Sequence, residues 1–369
     1  IIRSESSTAP CKILANLGSN YINCENDDEA LSITIGTNRA IFKSHGLFQE
    51  VKGELLNQMS LTYDNASGTH APELKQTGYV ISCKSGSHYN YTTLAGGVRG
   101  CEITDFGSEN KVETELFYTI PEFSFMKDYG LALPLLCMRN NTVRLNVKFS
   151  PKDKIIKSDQ NPDLSHFTLN YQTNVIQELI QLDIDEKSRF LTSQLSYITE
   201  NITRIDISSS GQDITSAFPL CKYILLVGQP EEDTGNFSVS ASPSTPTQLT
   251  FNSLNISIGG NKIYAGVNLL KKEIFTKLNI NKYFTGCGRD LGAPGEGESA
   301  QHHGQSDSIA MLPFSIEPLN YTQPTGCISN KDLSGTITLE LDQDQNIILY
   351  AINYGILIIK EGSAYSQNY

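Results

Sequence analysis

Residues 256–265 read ISIGGNKIYA, and residues 33–42 read ITIGTNRAIF. At an offset of 223 residues, Ile33 and Ile256, Ile35 and Ile258, Gly36 and Gly259, and Asn38 and Asn261 coincide, while Thr34/Ser257 and Arg39/Lys262 are conservative pairs. Isoleucines at alternate positions, closed by Gly-x-Asn, describe a strand that ends in a corner. Glycine or asparagine there tolerates a positive φ. The paired glycines do not make a phosphate-cradling loop, because no Lys-Ser/Thr follows them and Thr37 stands where Gly260 does. The stretch reads as one strand and turn built twice.

The doubling continues downstream. FSF at 123–125 is followed by TVRLNVKF at 142–149, and FSI at 314–316 is followed by TITLEL at 336–341, at offsets of 191 and 194 residues. The order is the same in both halves, with unequal loops between matching strands. Further β-type runs are ELFYTIPEFSF (115–125), KYILLVG (222–228) and NIILYAINYGILII (346–359), each bounded by Gly, Pro, Asn or Asp. In TVRLNVKF, Val143, Leu145, Val147 and Phe149 share one face, the pattern of a half-buried strand. Helices are few: 41–58 carries a helical period through Leu47, Val51, Leu55 and Leu56, and 185–198 through Phe190, Leu191, Leu195 and Ile198 behind an acidic start. Segments 59–111 and 287–308 show little periodicity and read as long loops. These patterns predict an all-β chain of two consecutive jelly-roll β-sandwiches of the eight-stranded type, with long loop insertions and a few short helices. The first sandwich is expected over 1–150, a charged, Pro-punctuated linker over 151–165, and the second sandwich over 166–369.

At 369 residues the chain can bury two substantial cores. Its net charge of −12, without a run of five Lys/Arg, argues against direct nucleic-acid binding, which needs clustered cations. No apolar run approaches the ~20 residues that span a bilayer, so no membrane-spanning segment is expected. The eight cysteines, at 11, 24, 83, 101, 137, 221, 287 and 327, form no Cys-x-x-Cys, leaving zinc and redox sites without support. Cys137 and Cys221 lie in apolar runs and read as small core residues, whereas Cys83 and Cys101 flank a loop and could pair.

Catalytic and cofactor motifs are missing: there is no P-loop, nucleophile elbow or His-Glu-x-x-His. His302 and His303 are neighbours on a Gly-rich loop and make a poor chelate. DQDQN (342–346) reads as a hairpin turn rather than a calcium loop. DIDE (183–186) reads as an acidic helix start or a solvated turn rather than a catalytic carboxylate pair. No metal, cofactor or enzymatic activity is therefore expected. Of the Asn-x-Ser/Thr triplets, Asn65, Asn90 and Asn236 lie in apparent loops and are the candidate glycan acceptors.

Several stretches resemble a known family. LPFSIEPLNYTQPTGCISNKD (312–332), GTITLEL (335–341) and YAINYGILIIKEGSAY (350–365) are similar to the closing signature of the double jelly-roll major capsid proteins of nucleocytoplasmic large DNA viruses. LDIDEKSRF (182–190), LCKYILLVGQ (220–229) and DYGLALPLLCMRNNTVRLNVKF (128–149) resemble other segments of that family, in order, and ITIGTNRAIF takes the place of its strand-and-turn. The sequence departs at Thr325–Asn330 and shows no room for the family's opening hairpins before residue 31, so the resemblance implies either that this sequence lacks its N-terminal portion or that the first jelly roll is closed by another subunit, trimming being the simpler. The resemblance implies a structural protein, a homotrimer forming pseudo-hexagonal capsomers of an icosahedral shell. Its partners would be neighbouring capsomers and minor capsid proteins, in a virion assembled in the host cytoplasm. The competing reading is a carbohydrate-binding or adhesive β-sandwich, against which the absence of Trp counts.

Overall fold

The computed structural model describes residues 2–4, 13–15, 31–36, 42–44, 48, 59–62, 73–76, 87–92, 98–103, 111–112, 123–126, 128–148, 156–158, 167–169, 175, 177–228, 249–251, 254–258, 261–265, 274–284, 309–331 and 335–367. The strands of the first half are β1 (Ile2–Ser4), β2 (Ile13–Ala15), β3 (Leu31–Ile35), β4 (Phe42–Ser44), β5 (Met59–Thr62), β6 (Glu73–Gln76), β7 (Ser87–Thr92), β8 (Val98–Ile103), β9 (Lys111–Val112), β10 (Val143–Val147), β11 (Ile156–Ser158) and β12 (Phe167–Leu169). Helix α1 (Ile184–Thr192) then leads into β13 (Leu195–Ile207), β14 (Gln212–Asp213), β15 (Cys221–Gly228), β16 (Leu254–Ile258) and β17 (Asn261–Ala265). A π turn at Ile274–Leu278 runs into α2 (Asn279–Tyr283), followed by β18 (Ile309–Pro313), β19 (Ile337–Leu341), β20 (Ile347–Lys360) and β21 (Ser363–Gln367).

The second half forms two facing sheets. One has the order β13-β20-β15-β18, with β21 added to β20, and the other β14-β19-β16-β17. From β13 to β16 and again from β17 to β20 consecutive strands alternate between the sheets, with β16 and β17 a hairpin within one of them, which is jelly-roll connectivity. Between them lies a core of Ile224, Leu226, Leu254, Ile256, Leu339, Leu349 and their neighbours. The outer face of the first sheet is also covered, because Tyr223, Leu225, Val227, Tyr350 and Ile352 pack under Ile280, Phe284 and Phe48. Burial on both faces explains why KYILLVG and NIILYAI are continuously apolar. β19 is covered on one face and alternates instead, with Ile337, Leu339 and Leu341 buried and Thr338 and Glu340 partly exposed.

Three strands of each sheet recur in the first half. β3 lies between β10 and β4, as β16 lies between β19 and β17. Every rung from Leu31↔Val147 to Ile35↔Val143 recurs from Leu254↔Leu341 to Ile258↔Ile337, displaced by 223 residues on one strand and 194 on the other. Likewise β1 lies between β12 and β9, as β15 lies between β20 and β18. The corner glycine behaves as its sequence predicts: Gly36 has φ +66°, and a Cβ there would meet the Asn141 side chain at 2.7 Å.

Three segments between these strands join in a sheet of their own. β2, β7 with β8, and β11 come from different insertions and pair in the order β11-β2-β8-β7. Segment 59–111, read as a loop, thus holds β5 to β9. The strands are short and polar, and β8 pairs with β2, which lies far away in sequence, so no local periodicity announces them.

Other expectations need correction. The proposed linker contains β11, which pairs with β2, and β12 returns to pair with β1, so strands of the first sandwich run past residue 150. Phe42–Ser44 is strand rather than the start of a helix, because it hydrogen-bonds to β3; Phe48 is helical, and the remainder of 45–58 lies outside the described residues. The helix expected to 198 ends at Thr192, where the Ser193 N–H bonds to the Arg189 carbonyl and β13 begins two residues later. The Phe-Ser stretches are turns, Ser124–Met126 as a 3-10 turn and Phe314–Ile316 as a bend after β18. β10 is a strand, but Leu145 and Val147 are exposed rather than buried. Residues 115–122 and 287–308 lie outside the described residues.

The halves share a third core. Ile33, Ile35, Phe123, Cys137 and Met138 of the first half pack with Leu357, Ile359 and Ala364 of the second, joined by Phe190, Leu195 and Tyr197. β13 and β20 are long enough to serve both cores: Ile347–Ile352 lie in the second sandwich, and Leu357–Ile359 reach the seam.

Candidate functional site

The acidic stretch at 183–186 is a helix cap. Asp183 accepts from the Glu186 N–H at 2.8 Å, and the Glu186 carboxylate accepts from the Asp183 N–H at 3.1 Å, a reciprocal capping box. The two carboxylates thus satisfy backbone donors at the helix start. DQDQN joins β19 to β20 as a turn, in which Asp344 accepts from the Ser210 N–H and Gln345 from the Thr250 N–H. Among the described residues no three His, Cys, Asp or Glu side chains gather as a metal site. Cys137 and Cys221 are buried thiols and Cys327 is an exposed one. Burial pushes the Cys221 thiol well above the usual range, which suits a packed and unreactive side chain. His302, His303 and Cys83 lie outside the described residues, while Cys101 is in β8 beside Ala15 and Tyr89.

One polar cluster was not foreseen from sequence. Lys222 is the extra residue of a bulge, since Cys221 pairs with Asn353 and Tyr223 already with Ile352. The bulge sends its side chain across β20 to an ion pair with Glu200 of β13, and both groups are buried. The Lys222 ammonium also lies over the rings of Tyr354 at 5.2 Å, Tyr321 at 5.3 Å and Tyr223 at 5.8 Å. Burial raises the Tyr354 phenol, opposed by a hydrogen bond from the Thr325 N–H. The cluster ties β13, β15 and β20 to the 314–331 segment. A single lysine inside an apolar strand was the only signal available in sequence.

Of the candidate glycan acceptors, Asn90 lies in β7, a terminal strand of the insertion sheet, rather than in a loop; Asn65 and Asn236 lie outside the described residues. Exposed apolar side chains gather on two stretches: Met126, Tyr129, Leu135, Leu136, Leu145 and Val147 on one, and Val175, Leu179, Ile180 and Ile184 on the other. No helix among the described residues is long and apolar enough to cross a membrane.

No protein-family model matches the chain. The sequence is 21% identical over 249 residues to the major capsid protein of Pyramimonas orientalis virus, a match covering 65% of this chain. The chain spans 58% of the length of that relative. Among solved structures, the PBCV-1 virus capsid matches with a TM-score of 0.54 at 16% identity, over 96% of this chain and 87% of that one. The Faustovirus major capsid protein matches with a TM-score of 0.50 at 10% identity, over 97% and 76%. At these identities the likeness is one of fold.

Proposed function

From a chain that carries the double jelly-roll fold of large-virus major capsid proteins, we propose that it is the repeating subunit of an icosahedral virion shell. Three copies, each with two similar sandwiches, form a capsomer of pseudo-hexagonal outline that packs against neighbouring capsomers and minor capsid proteins. The observation that carries this reading is the repeated register, β3 with β10 and β16 with β19, rung for rung. A chain that presents the same scaffold twice can place six similar sectors about a threefold axis. The protein is structural rather than enzymatic, it does not contact nucleic acid directly, and it assembles in the host cytoplasm. The first sandwich ends after β12, near residue 169, and the second begins with α1. Asn65, Asn90 and Asn236 are its proposed glycan acceptors, tested by intact mass before and after glycosidase treatment.

The deciding experiment is size determination and negative-stain imaging of the purified chain. Trimers with a hexagonal outline are the expected result. A monomer at every concentration and salt, with measurable affinity for glycans, would establish the carbohydrate-binding reading instead.

A further inference from the structure

The buried cluster around Lys222 brings together two groups that can react. An amine and a carboxyl are in contact there, with Lys222 0% and Glu200 8% exposed. Two pairs elsewhere differ in kind. Arg204 with Asp206, and Lys360 with Glu361, each include a carboxylate more than half exposed, where water competes for the charges.

In water at neutral pH an amine and a carboxyl are both ionised, and in that form they do not condense. Burial removes this protection. Each ion has lost hydration that its partner replaces only in part, and passing the proton from nitrogen to oxygen leaves a neutral amine beside a carboxylic acid. Those are the reactants of an amide. Groups fixed in a reactive geometry behave as if present at about 10⁵–10⁸ M.

The sheet fixes both groups. Lys222 is held by the bulge on β15, and its carbonyl accepts from the Phe314 N–H at 2.8 Å and the Ser315 N–H at 3.1 Å. Glu200 is held on β13, where its rung partner on β20 is Tyr354. Rung partners share a face of the sheet, so the ring that lies under the ammonium is also the neighbour of the carboxyl. Burial first, and the Glu200 charge with it, raise the Tyr354 phenol, which therefore keeps its proton at neutral pH.

We propose that Lys222 and Glu200 condense to an isopeptide bond that joins β15 to β13 across β20. The proton passes from the ammonium to the carboxylate, and the amine lone pair attacks Glu200 Cδ to form the C–N bond. The Tyr354 hydroxyl gives its proton to the departing hydroxyl as the C–O bond breaks, and a proton from the nitrogen returns to the phenolate. One water leaves on the side where Glu200 keeps its slight exposure. Nothing is oxidised or reduced. The amide replaces two buried charges and closes residues 200–222 into a covalent loop, which restricts the unfolded chain as a cross-link does. The ion pair is the state in which the chain folds, and the bond accumulates afterwards.

The test is the intact mass of the denatured full chain, fresh and after days at neutral pH. The expected product is lighter by one water and yields a branched tryptic peptide, uncut at Lys222 and joined to the peptide that contains Glu200. Lys222→Met/Glu200→Leu should keep its full mass. Tyr354→Phe should form the bond at least tenfold more slowly with unchanged circular dichroism, since a general acid accelerates such a step by about 10²–10⁴ and a merely structural tyrosine would leave the rate alone. A wild-type chain of full mass at every age overturns the proposal. A water loss that persists in the double variant also overturns it, because the loss then belongs to other residues. Bond formation at the wild-type rate in Tyr354→Phe overturns the part given to the phenol.

Discussion

Lys222 is the residue with the most at stake in the second sandwich. A buried ammonium is tolerable only while Glu200 and the tyrosine rings compensate for its lost hydration. Removing one partner strands the other charge in the core, at a cost of about 3–5 kcal/mol. Lys222→Ala and Glu200→Ala should each lower stability by that amount in urea unfolding, while Lys222→Met with Glu200→Leu should recover most of it. Singles and double equally destabilised would mean that the pair matters only for its packing. The sequence displays Lys222 between Cys221 and Tyr223 but not the bulge that turns it toward Glu200, because a bulge is defined by the partner strand. Asp183 and Glu186 were legible for the opposite reason, since a capping box is complete within four residues.

At the scale of elements, the hairpin between β20 and β21 turns on two residues with positive φ, Glu361 at 54° and Gly362 at 82°. That geometry suits Asn-Gly, and a non-Gly, non-Asn residue there costs about 1–2 kcal/mol. The turn is held from the first half, where Asn140 donates its backbone N–H to the Gly362 carbonyl and its side-chain amide to the Glu361 carbonyl. Both contacts involve the Glu361–Gly362 backbone, so Glu361→Asn keeps them and should raise stability by about 0.5–1 kcal/mol, read as a higher melting temperature; a loss would show that the carboxylate has a role the geometry does not reveal. The exposed pair with Lys360 at 3.6 Å contributes little. β15, β16, β19 and β20 were all readable as strands because their own side chains are buried in a fixed pattern. The exposure of β10 was not, since alternation reports which residues share a face and not whether another sheet covers it. β11 and β12 were missed because strands of three residues leave too few positions for any pattern, and their partners lie more than 140 residues away.

For the whole molecule, the doubling was visible in sequence, while the seam was not. Ile33 and Ile35 announce a buried strand, but nothing local says that their cover includes Leu357 and Ile359 from the far end of the chain. Because that cluster belongs to both halves, the chain should unfold in a single calorimetric transition. Leu357→Ala should cost about 2–5 kcal/mol, the usual range for a truncated core leucine, without splitting that transition. Two resolved transitions in the wild type would show that the sandwiches melt independently.

The length of β13 and β20 has a mechanical side. Thirteen antiparallel rungs, from Leu195↔Ile359 to Ile207↔Ile347, run without interruption between the seam and the second core. A load applied along these two strands is shared by many rungs in parallel, instead of peeling them one by one. With no break in this ladder there is no hinge along β13 and β20, and the end of the sheet that reaches the seam moves with the end that lines the second core.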